Sequence, residues 1–223
     1  MNTLWVYAAP REGEPWADDP QVQRLGVGKV AATLALTRAV VERRPEAVVV
    51  FGVAGAYPGG PAVGELCLVG EDWLADEGVE VADGLRSLED LGLGRRGPFV
   101  ADPGLTEALA RALGGGVPRV RGATVSTCSG TDARSAALVA ACPGVAVESM
   151  EGAAVGAVCE RFEIPWAQVR VISNRTGDRD RAGWDLDGAL GRLHREVARL
   201  RAWVQAGGSD GSDGSDGSDH HGG

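Results

Sequence analysis

Short apolar runs alternate with longer stretches of helical periodicity along most of the chain. Residues 3–9 form a continuous apolar run ended by Pro10, the pattern of a strand buried on both faces. Over 29–44 the apolar positions recur at helical spacing until Pro45 stops them, which predicts a helix. Residues 47–51 predict a second buried strand running into a Gly-rich turn at 52–60. Further strands are expected at 65–69, 120–128, 145–148 and 167–173, and helices at 105–113, 131–141, 150–162 and 186–205. Two stretches carry no clear period: the polar, Pro-rich 11–24 and the mixed 71–100.

Strands alternating with helices imply an α/β fold, expected here as one three-layer α/β/α domain over 1–206 around a mixed, mostly parallel sheet. Residues 207–223 repeat Gly-Ser-Asp without an apolar side chain, so they have nothing to bury and are expected to be disordered. Ligands of such sheets sit at the carboxyl ends of the strands. That rule directs attention to Glu12, the 52–60 turn, 126–131, 148–151 and Asn174 onwards.

Composition narrows the chemistry. With 22 basic against 31 acidic residues the net charge is −9, which argues against a nucleic-acid backbone as partner. The N-terminus lacks the pattern of a signal peptide, and no run approaches the length of a membrane span, so a cytoplasmic protein is expected. Cys67, Cys128, Cys142 and Cys159 form no C-x-x-C pair, which fits a reducing compartment. Of the 3 histidines, two lie in the tail, and His194 on the last helix reads as a surface or packing residue. A Ser-His-Asp or Cys-His site is therefore not expected, and no metal-ligand spacing occurs, so neither metal nor cofactor is expected. Gly26-Val27-Gly28-Lys29-Val30-Ala31 matches G-x-G-x-x-A. However, no buried strand is expected before it, and Glu46 begins a strand instead of ending one, so a tight turn at a helix N-terminus is the better reading.

Carboxylates and amides at strand ends remain. There, Gly26-Val27-Gly28-Lys29-Val30-Ala31-Ala32, Gly52-Val53-Ala54-Gly55-Ala56, Val63-Gly64-Glu65, Ser149-Met150-Glu151-Gly152-Ala153-Ala154 and Arg170-Val171-Ile172-Ser173-Asn174 follow one another as in the nucleoside-phosphorylase superfamily. The overall pattern resembles methylthioadenosine/adenosylhomocysteine nucleosidases. In Tyr57-Pro58-Gly59, Asp83-Gly84, Val125-Ser126-Thr127 and Ser173-Asn174-Arg175-Thr176-Gly177-Asp178-Arg179-Asp180 the chain is more similar to futalosine hydrolases. Between Glu12 and Gly26 it is much shorter than the nucleosidases.

The resemblance implies hydrolysis of a purine N-glycoside, with futalosine giving hypoxanthine in menaquinone biosynthesis, by a homo-oligomer acting on a small nucleoside. Glu12 matches the water-activating glutamate, with Glu14 as its rival. Glu151 matches the ribose-binding carboxylate, with Met150 packed on the sugar. Asn174 stands where adenine-cleaving relatives have aspartate. Val53, Ala54, Gly55, Ser126, Thr127 and Ser149 complete the implied substrate site. Phosphorolytic relatives hold phosphate with residues that match Val50 and Val53 here, which favours water as the nucleophile, although Arg11 near the sugar offers a substitute cation. Trp184, Tyr57 and the arginines at 175, 179 and 181 are candidates for a pocket around the 5′ substituent.

Overall fold

The computed structural model describes residues 1–82, 84–178 and 183–208. Asp83, Arg179, Asp180, Arg181 and the repeat from 209 onwards lie outside the described residues. In chain order the elements are β1 (Thr3–Tyr7), β2 (Val22–Arg24), α1 (Lys29–Arg43), β3 (Ala47–Ala56), β4 (Leu66–Leu74), β5 (Gly78–Val81), β6 (Gly84–Ser87) and β7 (Phe99–Val100). They continue as α2 (Pro103–Ala112), β8 (Arg119–Thr124), α3 (Asp132–Ala141), β9 (Val145–Ser149), α4 (Gly152–Arg161), β10 (Trp166–Arg175) and α5 (Leu186–Gln205).

The main sheet is mixed and mostly parallel. β1–β2, β1–β3, β3–β10, β4–β8 and β8–β9 pair in parallel. β4–β10, β3–β9 and β4–β7 run antiparallel. Because β3 pairs β9 as well as β10, the strands β3, β10, β4, β8 and β9 close on one another in a ring. Along one edge, β3 is bonded to β1 over residues 47–50 and to β9 only at 55–56. The main chain between those two pairings is left without a strand partner on that edge.

Helices cover both faces. α2 and α5 bury Leu105, Leu109, Leu193 and Val197 against Val49, Phe51, Val169 and Val171. On the other face α1 and α4 bury Leu36, Val40, Val155 and Cys159 against Leu4, Val6, Val48 and Val50. Both layers follow from amphipathic helices that must hide an apolar stripe on a two-sided sheet.

The Gly-rich segment is the main departure from the pattern. β3 does not turn at Gly52 but continues to Ala56, and the turn is confined to residues 57–60, closed by Gly60 N–H donating to the Tyr57 carbonyl at 2.9 Å. β10 pairs it along that whole length, and Gly52 and Gly55 keep ordinary extended backbone there. The expected strand at 120–128 ends at Thr124, since the last bond to β9 is Val125 N–H to the Ser149 carbonyl at 2.9 Å. The helix expected from 150 begins at Gly152, because Glu151 has non-helical backbone (φ −135°, ψ −25°). The unassigned 11–24 holds two single 3-10 turns and the edge strand β2, and 71–100 holds the end of β4, the β5–β6 hairpin and β7.

Candidate active site

A cavity of about 410 Å³ opens where β3 changes partners. Its walls come from the loop after β1 (Ala8, Ala9, Glu12), the middle of β3 (Val53, Ala54, Gly55), residues 128–130 after β8, the end of β9 with Ser149, Met150 and Glu151, and Ser173 to Arg175 on β10. Val27, Glu148, Gly177, Trp184 and Leu186 complete it. The volume is that of a small-molecule site.

Glu12 is buried at the end of a 3-10 turn, while Glu14 one turn on is exposed. The Glu12 carboxylate accepts three backbone N–H groups: Ala8 at 3.1 Å and Ala9 at 2.8 Å on Oε2, and Val53 at 2.9 Å on Oε1. The third donor is the N–H that the split in β3 leaves without a strand. A carboxylate has about four lone-pair sites, so one on Oε1 stays open. Gly52 makes this approach feasible: a Cβ there would stand 2.5 Å from Glu12 Oε1 and 2.5 Å from Arg170 Nη1.

Glu151 lies across the cavity, buried, with Oε1 accepting from Gly28 N–H at 2.8 Å. Gly28 is the residue before α1 and has φ +92°, which a side chain would strain. The N–H that would greet a pyrophosphate in the dinucleotide reading is thus taken by the protein's own carboxylate. Burial pushes the Glu151 pKa up; the Arg170 guanidinium and the Gly28 N–H oppose the rise, and the Glu12 charge adds to it.

Arg170, on β10, is 1% exposed and reaches the Val53 carbonyl through Nη1 at 3.4 Å. Its Nε and Nη2 have no hydrogen-bond partner among the described residues. A buried cation with open donors beside two carboxylates is the feature the sequence reading missed. Arg170 stands inside an apolar run; the superfamily pattern includes it, but no role was given to it there.

Asn174 follows a bulge in β10 and faces Gly55, where a Cβ would lie 3.3 Å from its Nδ2. Its Oδ1 accepts from the Ser173 hydroxyl at 2.8 Å, and Nδ2 donates to the Arg175 carbonyl at 2.9 Å. One lone pair and one N–H therefore remain for a ligand. Glu148 is held by the Tyr57 hydroxyl at 2.8 Å and the Ser129 N–H at 2.9 Å.

Several other residues of the sequence reading lie elsewhere. Ser126 and Thr127 are exposed outside the cavity wall, their N–H groups turned to Asp76 at 2.7 and 3.3 Å, so the loop presents Cys128, Ser129 and Gly130 instead. Arg11 points away to pair with Asp187 at 2.6 Å. Tyr57 is fully buried. Arg175 spends an N–H on the Gly60 carbonyl at 3.1 Å, and Trp184 lines the cavity. Val50 is buried in the core and Val53 lines the cavity, so neither position offers an anion a side-chain donor. Among the described residues no three His, Cys, Asp or Glu side chains gather as a metal site. No helix among them is long and apolar enough to cross a membrane.

The model of the phosphorylase superfamily matches residues 13–206. The chain belongs to that superfamily. It is 40% identical over 180 residues to a futalosine hydrolase of Thermus thermophilus, covering 79% of each chain. To the futalosine hydrolase of Acidothermus cellulolyticus it is 36% identical over 186 residues, 82% of this chain and 75% of that one. In structure it superposes on 5′-methylthioadenosine/S-adenosylhomocysteine nucleosidase from Neisseria meningitidis, crystallised with methylthio-immucillin-A, with TM-score 0.77 and 22% identity, over 90% of this chain and 99% of that one. The matched superfamily span begins one residue after Glu12, so the place of that side chain rests on the geometry above.

Proposed function

We propose that this superfamily member is a nucleoside hydrolase that cleaves the N-glycosidic bond of a 6-oxopurine nucleoside, futalosine, releasing hypoxanthine for menaquinone biosynthesis. The observation that carries the reading is the pair of buried carboxylates, Glu12 and Glu151, facing one cavity with Arg170 beside them.

The open lone pair of Glu12 takes a proton from water as the water oxygen bonds to C1′ of the ribose and the C1′–N9 bond breaks. Glu151, held through Oε1 by Gly28 N–H, accepts the ribose hydroxyls on its remaining lone pairs and fixes the sugar over Met150. Arg170 opposes protonation of Glu151 and stands beside Glu12 across Gly52, a fixed cation next to both carboxylates. The departing base takes one proton at N7 from solvent, to which Glu12 later returns the proton it removed from water, so that one water is consumed. Asn174 Oδ1 accepts the new N–H while Nδ2 donates to O6. Val53, Ala54, Gly55 and Ser149 line the same space. With no side-chain donor at Val50 or Val53, water and not phosphate is the nucleophile.

The alternative, an adenine-releasing nucleosidase, calls for a base-side acid that Asn174 does not provide. Futalosine, inosine and methylthioadenosine, each with and without phosphate, separate the readings. Hypoxanthine release from futalosine without phosphate is expected. Equal release of adenine, or a requirement for phosphate, would sink the proposal.

A homo-oligomer is also proposed, in the cytoplasm, docked through α1. Val30, Leu34 and Val41 are 75%, 68% and 58% exposed along that helix, spaced by four and seven residues on one stripe. Val27, 55% exposed, carries the apolar surface to the cavity, so a second copy seated there would wall the substrate.

A further inference from the structure

Among the described residues Asp72 is the one carboxylate at 0% exposure, and it has no part in the proposed reaction. Its position depends on a bulge in β4 between Val69 and Glu71, which shifts the alternation and turns Asp72 to the side of Val69. Two glycines make room for it: a Cβ on Gly122 would stand 2.7 Å from Asp72 Oδ2, and one on Gly152 only 2.1 Å away. Gly152 follows Glu151 and opens α4, so the carboxylate sits against the positive end of that ten-residue helix.

The hydrogen bonds run from Asp72 towards the site in two directions. Oδ1 accepts from the Thr124 hydroxyl at 2.8 Å and from Trp73 N–H at 2.8 Å. Having donated to Asp72, the Thr124 oxygen is free to accept Ala153 N–H at 2.7 Å, two residues beyond Glu151. Oδ2 accepts from Gln168 Nε2 at 3.1 Å. Gln168 precedes Arg170 by two residues on β10, so both side chains face the same way. Gln168 Oε1 is buried without a partner, as are Arg170 Nε and Nη2. The ionised Asp72 fixes which way the Gln168 amide faces.

We infer that Asp72 is a positioning residue for the proposed reaction, holding Glu151 through Thr124 and the first turn of α4, and orienting Gln168 beside Arg170. The inference rests on the nucleoside-hydrolase reading. Once Asp72 is neutral, its protonated oxygen must donate, and Gln168 satisfies it by turning Oε1 inward. That flip aims the amide N–H groups away from Asp72, and the site relaxes. The groups that sense the charge are Arg170 on β10, which opposes protonation, and the Cys142 thiol after α3, which the Asp72 charge helps push up. Burial raises the Asp72 pKa to about 6, within reach of an activity profile.

Asp72→Asn tests this, since the amide has the shape of the acid and Gln168 can flip to receive it. Hypoxanthine release from futalosine is followed from pH 5 to pH 8 in both proteins, with melting temperatures. At pH 8 the variant is expected to lose about tenfold in kcat/KM, mostly in KM, the scale of one misplaced contact. It should melt no lower than wild type, because an ionised, desolvated carboxylate has been removed. The ratio of the two activities should approach one at pH 5, where wild-type Asp72 is itself protonated. A ratio that stays constant across pH, or an unchanged kcat/KM at pH 8, overturns the inference. If the variant does not fold, Thr124→Val should reproduce the rise in KM and Thr124→Ser should restore wild-type KM; no difference between these two overturns it equally. A wild-type protein that releases no hypoxanthine would instead refute the hydrolase reading, whatever the variants do.

Discussion

Replacing Glu12 by glutamine separates its two tasks, proton acceptor and backbone clasp. The carboxylate receives two N–H groups on Oε2 and one on Oε1. Glutamine has a single acceptor oxygen, which goes to the two-donor side facing Ala8 and Ala9. Its NH2 then meets the Val53 N–H, donor against donor, in a buried place. One unsatisfied buried donor costs about 1–3 kcal/mol, or roughly 2–12 °C in Tm for a chain of this size. The rate should fall further, because the amide cannot take the water proton. Loss of a general base removes about 10²–10⁴-fold in kcat. The change also lifts the Glu12 charge from Glu151, whose pKa that charge helps raise, so the acid limb of KM should move to lower pH. Single-turnover release of hypoxanthine, with thermal melting as the fold control, measures both effects. Glu14→Gln, at an exposed neighbour, should leave both unchanged. A folded Glu12→Gln protein within tenfold of wild-type kcat, or a crippled Glu14→Gln, would refute the assignment of the base.

Asn174→Asp should erode a preference for 6-oxopurine over 6-aminopurine nucleosides that such hydrogen-bond complementarity sets at about 10⁴–10⁵-fold; competition between inosine and adenosine reads it directly, and an unchanged ratio removes Asn174 from base recognition. Glu151→Gln should raise KM and lower kcat together. It should also stabilise the protein at pH 7: the folded pKa is raised, so this carboxyl favours folding at low pH and that contribution is lost as pH rises through its shifted value. Melting curves at pH 4.5 and pH 7 check the sign, and a variant less stable than wild type at pH 7 contradicts it.

Much of this architecture was legible where one signal dominated. The bounds of α5 match the pattern because an amphipathic stripe runs its whole length, and the structure adds the cap: the Asp185 carboxylate accepts Gly188 N–H at 2.9 Å. Glu12, Asn174 and the Ser149-Met150-Glu151 run stand out in the sequence because they follow strands, and all of them line the cavity. The continuation of β3 was hidden because glycine signals both a turn and a close approach, and only the partners across Gly52 and Gly55 decide between them. Asp72 was hidden because a bulge two residues earlier sets its face. Arg170 was hidden by the apolar strand around it. The loop after β8 was misplaced by two residues because the end of a strand depends on where its neighbour stops.

Gly52 joins the fold to the chemistry and gives the sharpest check on both. β3 can exchange β1 for β9 only if its middle is free of a strand on that edge, and that freedom exposes Val53 N–H to Glu12. Arg170 arrives from β10, whose register sets it opposite Gly52. Both side chains then converge on the space a Cβ at Gly52 would fill, with Glu12 Oε1 and Arg170 Nη1 each 2.5 Å from it. Neither can swing aside cheaply: Glu12 is clasped by three N–H groups, and Arg170 is enclosed at 1% exposure. The backbone itself would accept alanine, since Gly52 does not have positive φ. Gly52→Ala should therefore act through the site, displacing one partner by a fraction of an ångström or more. Misplacement on that scale costs about 10²-fold in rate, whereas Gly94→Ala, with open space around its Cβ, should be silent. Futalosine turnover by the two variants, beside their melting curves, measures the difference. A Gly52→Ala protein with wild-type kcat would mean that the spacing of Glu12 and Arg170 does not set the rate.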